Sequence, residues 1–170
     1  DEFQKNSMQR ENAINRELAE SRARQLENVI MNLVDKITIS ARILIKPGAI
    51  EAPTLSEEFA VNFSNDSDFI SLEVYLLDGV SKKMLTQQIK EKALSPFALS
   101  RDYIAKLRDV RDLQKFPFSS VIEDKGHVIL LNSSGIQGRE PAMVTVGLPL
   151  YKDKQGRITH VAIAEIQLSV

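Results

Sequence analysis

The chain carries two histidines, His127 and His160, and each stands alone at or inside a β-type run. A lone strand histidine is ordinarily a surface or hydrogen-bonded residue. Neither has the neighbours that a metal site or a nucleophile–base pair requires. The sequence has no HExxH, no GxSxG and no GxxxxGK segment, so the zinc-hydrolase, serine-hydrolase and phosphate-cradling patterns are missing. Gly135-Ile-Gln-Gly138-Arg139 bears glycines but follows a strand without opening a helix, which makes it a loop. Asn65-Asp66-Ser67-Asp68 offers oxygen ligands without the spacing of a calcium loop and reads as a helix end or turn. No catalytic set, metal or cofactor is therefore expected.

The remaining polar residues suit binding better than catalysis. Arg101 to Asp112 is a helix rich in both charge signs, which ordinarily means a solvated, ion-paired face. On it, Arg101 and Tyr103 are candidates to hold a carboxylate or phosphate by charge-assisted hydrogen bonds. Asn132 and Ser133, on a strand, are candidates of the same kind. Glu73 and Tyr75 join them through the strand parity described below.

The composition narrows the class. At 170 residues and 43 % hydrophobic content the chain suits one domain with a real core. The net charge of -1 provides no basic excess for nucleic acid, and aromatic content of 6 % without Trp disfavours a base-stacking platform. The chain has no cysteine, which excludes disulfide scaffolds and thiolate sites. No run reaches the length and apolarity of a membrane span. The abrupt start at Asp1 and the strand running to Val170 are expected to be cuts in a longer protein.

The elements that must position these residues follow from periodicity. Residues 1–46 lack Pro and Gly and are rich in helix formers, which predicts one long helix stopped by Pro47-Gly48. From Leu26 its apolar residues recur at Ile30, Leu33, Ile37 and Leu44. Residues 1–24 hold few large aliphatics and are expected to fray or to pair with the same helix of a second copy. A short helix, capped by Thr54 or Ser56 with Glu57 and Glu58 in its first turn, precedes the alternating strand Phe69–Asp78. Lys82–Ile89 fits either a partner strand or the start of a helix. Ser95-Pro96 opens a helix to about Gln114, with Leu99, Tyr103, Leu107 and Val110 on one side. A strand at His127–Ser133 and the hairpin strands Met143–Leu150 and Ile158–Leu168 complete an α+β chain with a mostly antiparallel sheet. It divides into the helix 1–46 and a core 47–170 within one domain.

Strand parity proposes two faces. In Phe69–Asp78, Ile70, Leu72, Val74 and Leu76 alternate with Ser71, Glu73 and Tyr75. If Val146 pairs with Ile163 and Gly147 with Ala162, the hairpin splits likewise. Val144, Val146, Leu148, Val161 and Ile163 then pack toward the long helix, and Met143, Thr145, Gly147, Ala162 and Ala164 form a roomier face. That face, under a helical lid, is a candidate small-molecule pocket; the competing reading is that small residues simply make room for covering helices. A one-residue slip would scramble the division.

The order of these elements resembles a single-Cache sensor domain, the PAS-like extracytoplasmic module of bacterial membrane receptors. The likeness rests on the helix into Pro47, the strand FISLEVYLLDG, the strand HVILLNSS and the ending GLPLYKDKQGRITHVAIAEIQL, and spans about Glu27 to Val170. It implies a five-stranded antiparallel sheet with the long helix on one face and ligand on the other beneath lid helices. It further implies a periplasmic location between two membrane helices, a homodimer through the N-terminal helix, and output to a histidine kinase, cyclase, phosphatase or chemoreceptor. The candidate ligand-binding residues, from parity and residue type, are Glu73, Tyr75, Arg101, Tyr103, Asn132, Thr145 and Gly147. Relatives that bind amino acids often carry an Arg-x-Trp-Tyr element; this chain has Arg101-Asp-Tyr103 and no Trp, which points to a small carboxylate or another metabolite, or to no ligand. The alternative reading is a cytosolic PAS-like or coiled-coil dimerisation module without ligand.

Overall fold

The structure is a computed structural model that describes residues 1–79, 81–113, 121, 126, 129–132 and 142–168, without the side chains of 108, 110–113 and 129–132. His127, Ser133 and the loop 135–139, singled out in the sequence, lie outside the described residues. The element order is helix α1 (Glu2–Leu44), helix α2 (Glu57–Asn65), strands β1 (Phe69–Asp78) and β2 (Ser81–Ile89), the short helix α3 (Glu91–Leu94), helix α4 (Arg101–Leu113), the four-residue strand β3 (Ile129–Asn132), and strands β4 (Met143–Lys152) and β5 (Ile158–Gln167). The chain is α+β, as expected from the sequence, with a long N-terminal helix and an antiparallel sheet. Four strands of nine or ten residues run in the order β2-β1-β5-β4, and β3 pairs along the outer side of β4.

Compact packing divides the chain into Asp1–Asp35 and Lys36–Val170. The first unit is helix alone, with Phe3, Met8, Ile14, Leu18, Leu26, Val29 and Met31 exposed and an Arg16–Glu20 pair at 3.2 Å one turn apart. In the second unit α1 buries Ile37, Ser40, Ala41 and Leu44. It stops where Pro47-Gly48 turns the chain, Gly48 at φ +77° supplying a conformation that other residues rarely adopt. Helix α2 is capped by Ser56, whose hydroxyl accepts the Phe59 amide at 3.1 Å, with Glu57 and Glu58 against the positive end of the helix dipole. Lys82–Ile89, ambiguous in the sequence, belongs to strand β2. The helix expected from Ser95 to Gln114 is instead broken. A single 3₁₀ turn spans Ser95–Phe97, Ala98 adopts a left-handed backbone (φ +54°), and α4 begins at Arg101.

The β4–β5 register corrects the assumed one by a single residue. Val146 lies opposite Ala164 and Gly147 opposite Ile163. The irregularities at Pro149/Tyr151 and Tyr151/Lys152 cancel, so the pair next to the turn, Lys152 with Ile158, keeps the same register as the rest of the ladder. One face therefore carries Leu72 and Val74 of β1, Val146 and Leu148 of β4, and His160, Ala162 and Ala164 of β5. The other carries Ser71, Glu73 and Tyr75 with Thr145 and Gly147, and with Val161, Ile163 and Glu165. A bulge between Phe69 and Ser71 makes a second correction. It turns Ile70 away from Leu72 and into a cluster with Leu94, Leu99, Tyr103, Ile104, Leu107 and Met143.

The apolar face meets the helix α1–α2 side. Phe63 stacks on Phe59 at 5.4 Å between centroids and touches Phe69 at 5.5 Å. The buried His160 ring approaches the Ala49 carbonyl through Nε2 at 2.7 Å, which requires Nε2 to carry a proton and donate, while Nδ1 lies 2.8 Å from the Thr159 hydroxyl. Tyr151 donates to the Ile45 carbonyl at 2.7 Å, with the Arg42 guanidinium over its ring. Burial raises the pKa of that phenol, and the Arg42 charge partly offsets the rise. Ala162 and Ala164 lie on this side, where small side chains leave room for the large ones of α1 and α2. The accommodating reading of those two alanines is the one the register supports. Enlarging one of them tests it: Ala164→Leu should cost about 1–3 kcal/mol by overpacking, read as a lower urea midpoint with an unchanged slope. An unchanged midpoint would mean that the face has space there.

Candidate functional site

The second face of the sheet collects polar side chains that are out of reach of solvent. Strand alternation puts Ser71, Glu73 and Tyr75 of β1 on it, Thr145 and Gly147 of β4, and Glu165 of β5, all of them buried. Glu73 lies opposite Ile163 and Glu165 opposite Ser71. The two carboxylates are thus diagonal neighbours across β1 and β5, a relation that sets backbones roughly 7–8 Å apart. Each is 1 % exposed.

A buried carboxylate stays ionised only if donors replace the water it has lost. Here neighbouring strands supply them. The Thr145 hydroxyl donates to Glu165 at 2.6 Å, and these two residues are direct cross-strand partners. Glu73 accepts from the Tyr75 hydroxyl in a short hydrogen bond and from the Gln87 amide at 3.4 Å. Gln87 is the β2 residue directly opposite Glu73. Gly147 adds no side chain to this face beside Thr145.

Two apolar clusters border the polar patch. Tyr75, Val161 and Ile163 pack with Val121, and Leu77 and Ile158 lie against them. At the other end α3 and α4 set Leu94, Leu99, Tyr103, Ile104 and Leu107 on Ile70 and Met143. Polar groups are therefore held on a sheet face between apolar walls, with helices over one end.

The residues named from the sequence are distributed unevenly over this site. Glu73, Tyr75, Thr145 and Gly147 come together on one face. Tyr103 is buried in the neighbouring apolar cluster. Arg101 is exposed and pairs with Glu91 at 3.2 Å, away from the polar patch. The backbone of Asn132 pairs with Val144 at the sheet margin, and its side chain lies outside the described residues. Sequence reasoning missed Glu165 and Gln87. Glu165 is the one charge in the run Val161–Ile166, and the assumed register had set it toward α1.

Other parts of the chain compete less well. Clefts of about 550 Å³ lie between the turns at Asp78-Gly79 and Asp153–Gly156, and along Ile43–Glu58. The first is lined by turn residues already committed locally. Asp153 accepts the Arg157 and Gln155 amides at 2.9 Å and the Arg157 guanidinium at 2.9 Å. These bonds, led by the Arg157 amide, lower the Asp153 pKa. Among the described residues no group of three or more His, Cys, Asp or Glu side chains is placed to hold a metal ion. No helix among them is long and apolar enough to cross a membrane.

No protein-family model matches this chain, and no curated protein sequence matches it.

Removing the Thr145 hydroxyl isolates the best-defined contact of the patch. Thr145→Val should cost about 1–3 kcal/mol, because the Glu165 carboxylate loses a donor in a buried site. Thr145→Ser should recover most of that loss. Equilibrium urea denaturation of the three proteins reads the difference, and equal stability of all three would show that this bond does not hold the patch together.

Proposed function

We propose that this chain is the extracytoplasmic, ligand-sensing domain of a membrane-bound signalling protein of single-Cache, PAS-like type. The single observation that supports the reading is the division of the sheet. One face is apolar and meets α1 and α2; the other buries Glu73, Tyr75, Thr145 and Glu165. The buried carboxylates and hydroxyls of this patch are suited to orienting a ligand. In its finer form the proposal counts Ile129–Asn132 as the fifth strand of a Cache sheet, with α3 and α4 as the lid. The periplasmic location and the coupling to a kinase, cyclase, phosphatase or chemoreceptor belong to the proposal through the resemblance in element order.

The ligand in this reading is a small metabolite. Carboxyl oxygens accept hydrogen bonds, so donors such as amine or hydroxyl groups are one ligand chemistry that Glu73 and Glu165 suit. A small carboxylate is the competing class. Ligand binding would favour one arrangement of sheet and lid over another. A thermal-shift panel of amines, polyols and small carboxylates on the full chain tests the proposal. A ligand at 100 times its Kd adds about 2.7 kcal/mol of stability, a shift of several degrees. For that ligand, Tyr75→Phe and Thr145→Val should each weaken binding by about tenfold, the loss of one hydrogen bond. Unchanged affinity in both variants would remove the pocket assignment.

A second copy of the chain is the proposed partner of α1. The support is the exposed apolar series from Phe3 to Met31 on a helix that buries no residue of its own before Ile37. Apolar side chains left along one helix are ordinarily covered by another helix. Sedimentation equilibrium should show a concentration-dependent dimer that deletion of residues 1–24 abolishes, with the circular dichroism of the sheet retained. A monomer at all concentrations would count against this helix as the assembly surface of the isolated domain. The module without ligand is favoured if dimerisation is found and the panel gives no shift.

A further inference from the structure

The loop between α2 and β1 receives three separate elements within three residues. Asp66 caps the end of α2, and its Oδ1 accepts the Asp68 amide at 2.9 Å, which folds Asp66-Ser67-Asp68 into a tight turn. From α1, the Lys36 ammonium bridges both carboxylates, at 3.1 Å from Asp66 and 3.0 Å from Asp68. From the end of β2, the Lys90 ammonium donates to the Asp66 carbonyl and lies 5.2 Å above the Phe63 ring. From the end of β5, the Gln167 amide donates to the Asp68 carbonyl at 2.8 Å.

Asp68 is therefore held from two sides. Its carboxylate takes Lys36 of α1, and its carbonyl takes the last residue of β5. This carbonyl contact lies where the β1–β5 ladder has slipped at the Phe69/Ser71 bulge, so on its β1 side the end of β5 is tied to the turn, while on its other side Gln167 pairs with Met143 of β4. Next to it, the Leu168 amide donates to the Ala142 carbonyl at 2.8 Å. The charges around the turn are unevenly satisfied. Burial works against the Lys36 ammonium, yet its hydrogen bonds to Asp68 and Asp66 and their charges outweigh that cost and raise its pKa. For Lys90, burial and the Lys36 charge prevail over attraction to Asp66 and Asp68, and its pKa falls. Lys36 is thus the cation that the turn favours.

We propose that Asp66-Ser67-Asp68 is the coupling element between α1 and the C-terminal end of β5, with Asp68 as the residue that transmits a displacement of either one to the other. The purpose of the coupling rests on the sensing reading above; the coupling itself does not. A packed interface of this kind has discrete arrangements, so a shift of Lys36 along α1 changes which carboxylate it meets and pulls on the turn that holds Gln167. The contact is also half-exposed, with 34 % of the Lys36 side chain and 30 % of that of Asp68 accessible, so it can be exchanged at modest cost and responds to salt.

Amide hydrogen exchange on the full chain, with no ligand present, tests the proposal. Lys36→Met keeps the aliphatic stem and removes the charge. It should raise exchange at Gln167 and Leu168 about 1.5-fold to fivefold, the range expected from losing a partly exposed ion pair, while amides in the middle of β5, such as Ala162, stay protected. Lys36→Arg should keep exchange near the native rate. Salt gives the same reading without a substitution: raising sodium chloride from about 0.1 M to about 1 M shortens the screening length from about 10 Å to about 3 Å and should speed exchange at Gln167 in the native protein but not in Lys36→Met. Faster exchange confined to α1, with Gln167 unchanged, would overturn the coupling. A uniform rise along the whole of β5 would overturn it too, since that is global destabilisation. Because no ligand enters the experiment, its failure leaves the sensing proposal standing, and a failed ligand panel leaves the coupling standing.

Discussion

A carboxylate buried in a central strand has to be met by donors, and Glu165 imposes that demand on the sheet. β5 lies between β1 and β4, so any side chain on it faces neighbours on both sides. Glu165 lies opposite Thr145 and Ser71, and its carboxyl group accepts from the Thr145 hydroxyl. A register one residue away would bring it to the side of Phe63, Leu72 and Val146, where an ionised group would lose several kcal/mol of hydration without replacement. The same register that gives Glu165 its Thr145 donor sends Ala162 and Ala164 to the helical side. One polar requirement and one steric requirement therefore agree on a single pairing, and strands with period two have no intermediate solution.

Each face then has its own means of stabilisation. On the helical side large apolar groups dominate, each worth roughly 1.5–3 kcal/mol when fully buried, and Phe59, Phe63 and Phe69 form a run of ring contacts from α2 into β1. Two polar links fasten the segment after α1 to the hairpin, from Tyr151 to Ile45 and from His160 to Ala49. Both satisfy backbone carbonyls near a turn that has left the regular helix. On the other side apolar clusters flank a polar centre instead of filling it. This difference between the faces is what supports the proposed reading.

Bulges shape the sheet at the points where the two faces are assigned. The slip at Ile70 lets β1 give an aliphatic residue to each side at its start, sending Phe69 toward α2 and Ile70 toward α4. It also leaves the end of β5 attached to the Asp66–Asp68 turn, which Lys36 of α1 holds in turn. The two ends of the compact unit thereby meet at one small charged turn. This turn joins the first helix to the last strand in addition to the links at Tyr151 and His160.

The sequence by itself determined the elements. Uninterrupted helix formers up to Pro47-Gly48 specify α1, Ser56 with Glu57 and Glu58 specifies the start of α2, and the alternation of Phe69–Asp78 specifies β1 and places Glu73 and Tyr75 on one face. These are local effects of propensity, capping and parity, which neighbouring residues settle among themselves. What the sequence left open depended on partners distant along the chain. Lys82–Ile89 is a strand because β1 offers it a hydrogen-bonding edge. Ser95–Leu113 breaks at Ala98 where α3 gives way to α4. Glu165 joins Thr145 only in a register one residue away from the one the sequence reading assumed, and Arg101 turns to Glu91 on the surface instead of toward the polar patch. Only the tertiary structure could decide these points. A one-residue shift between strands changes no local preference, yet it exchanges every side chain between two faces that meet different parts of the molecule.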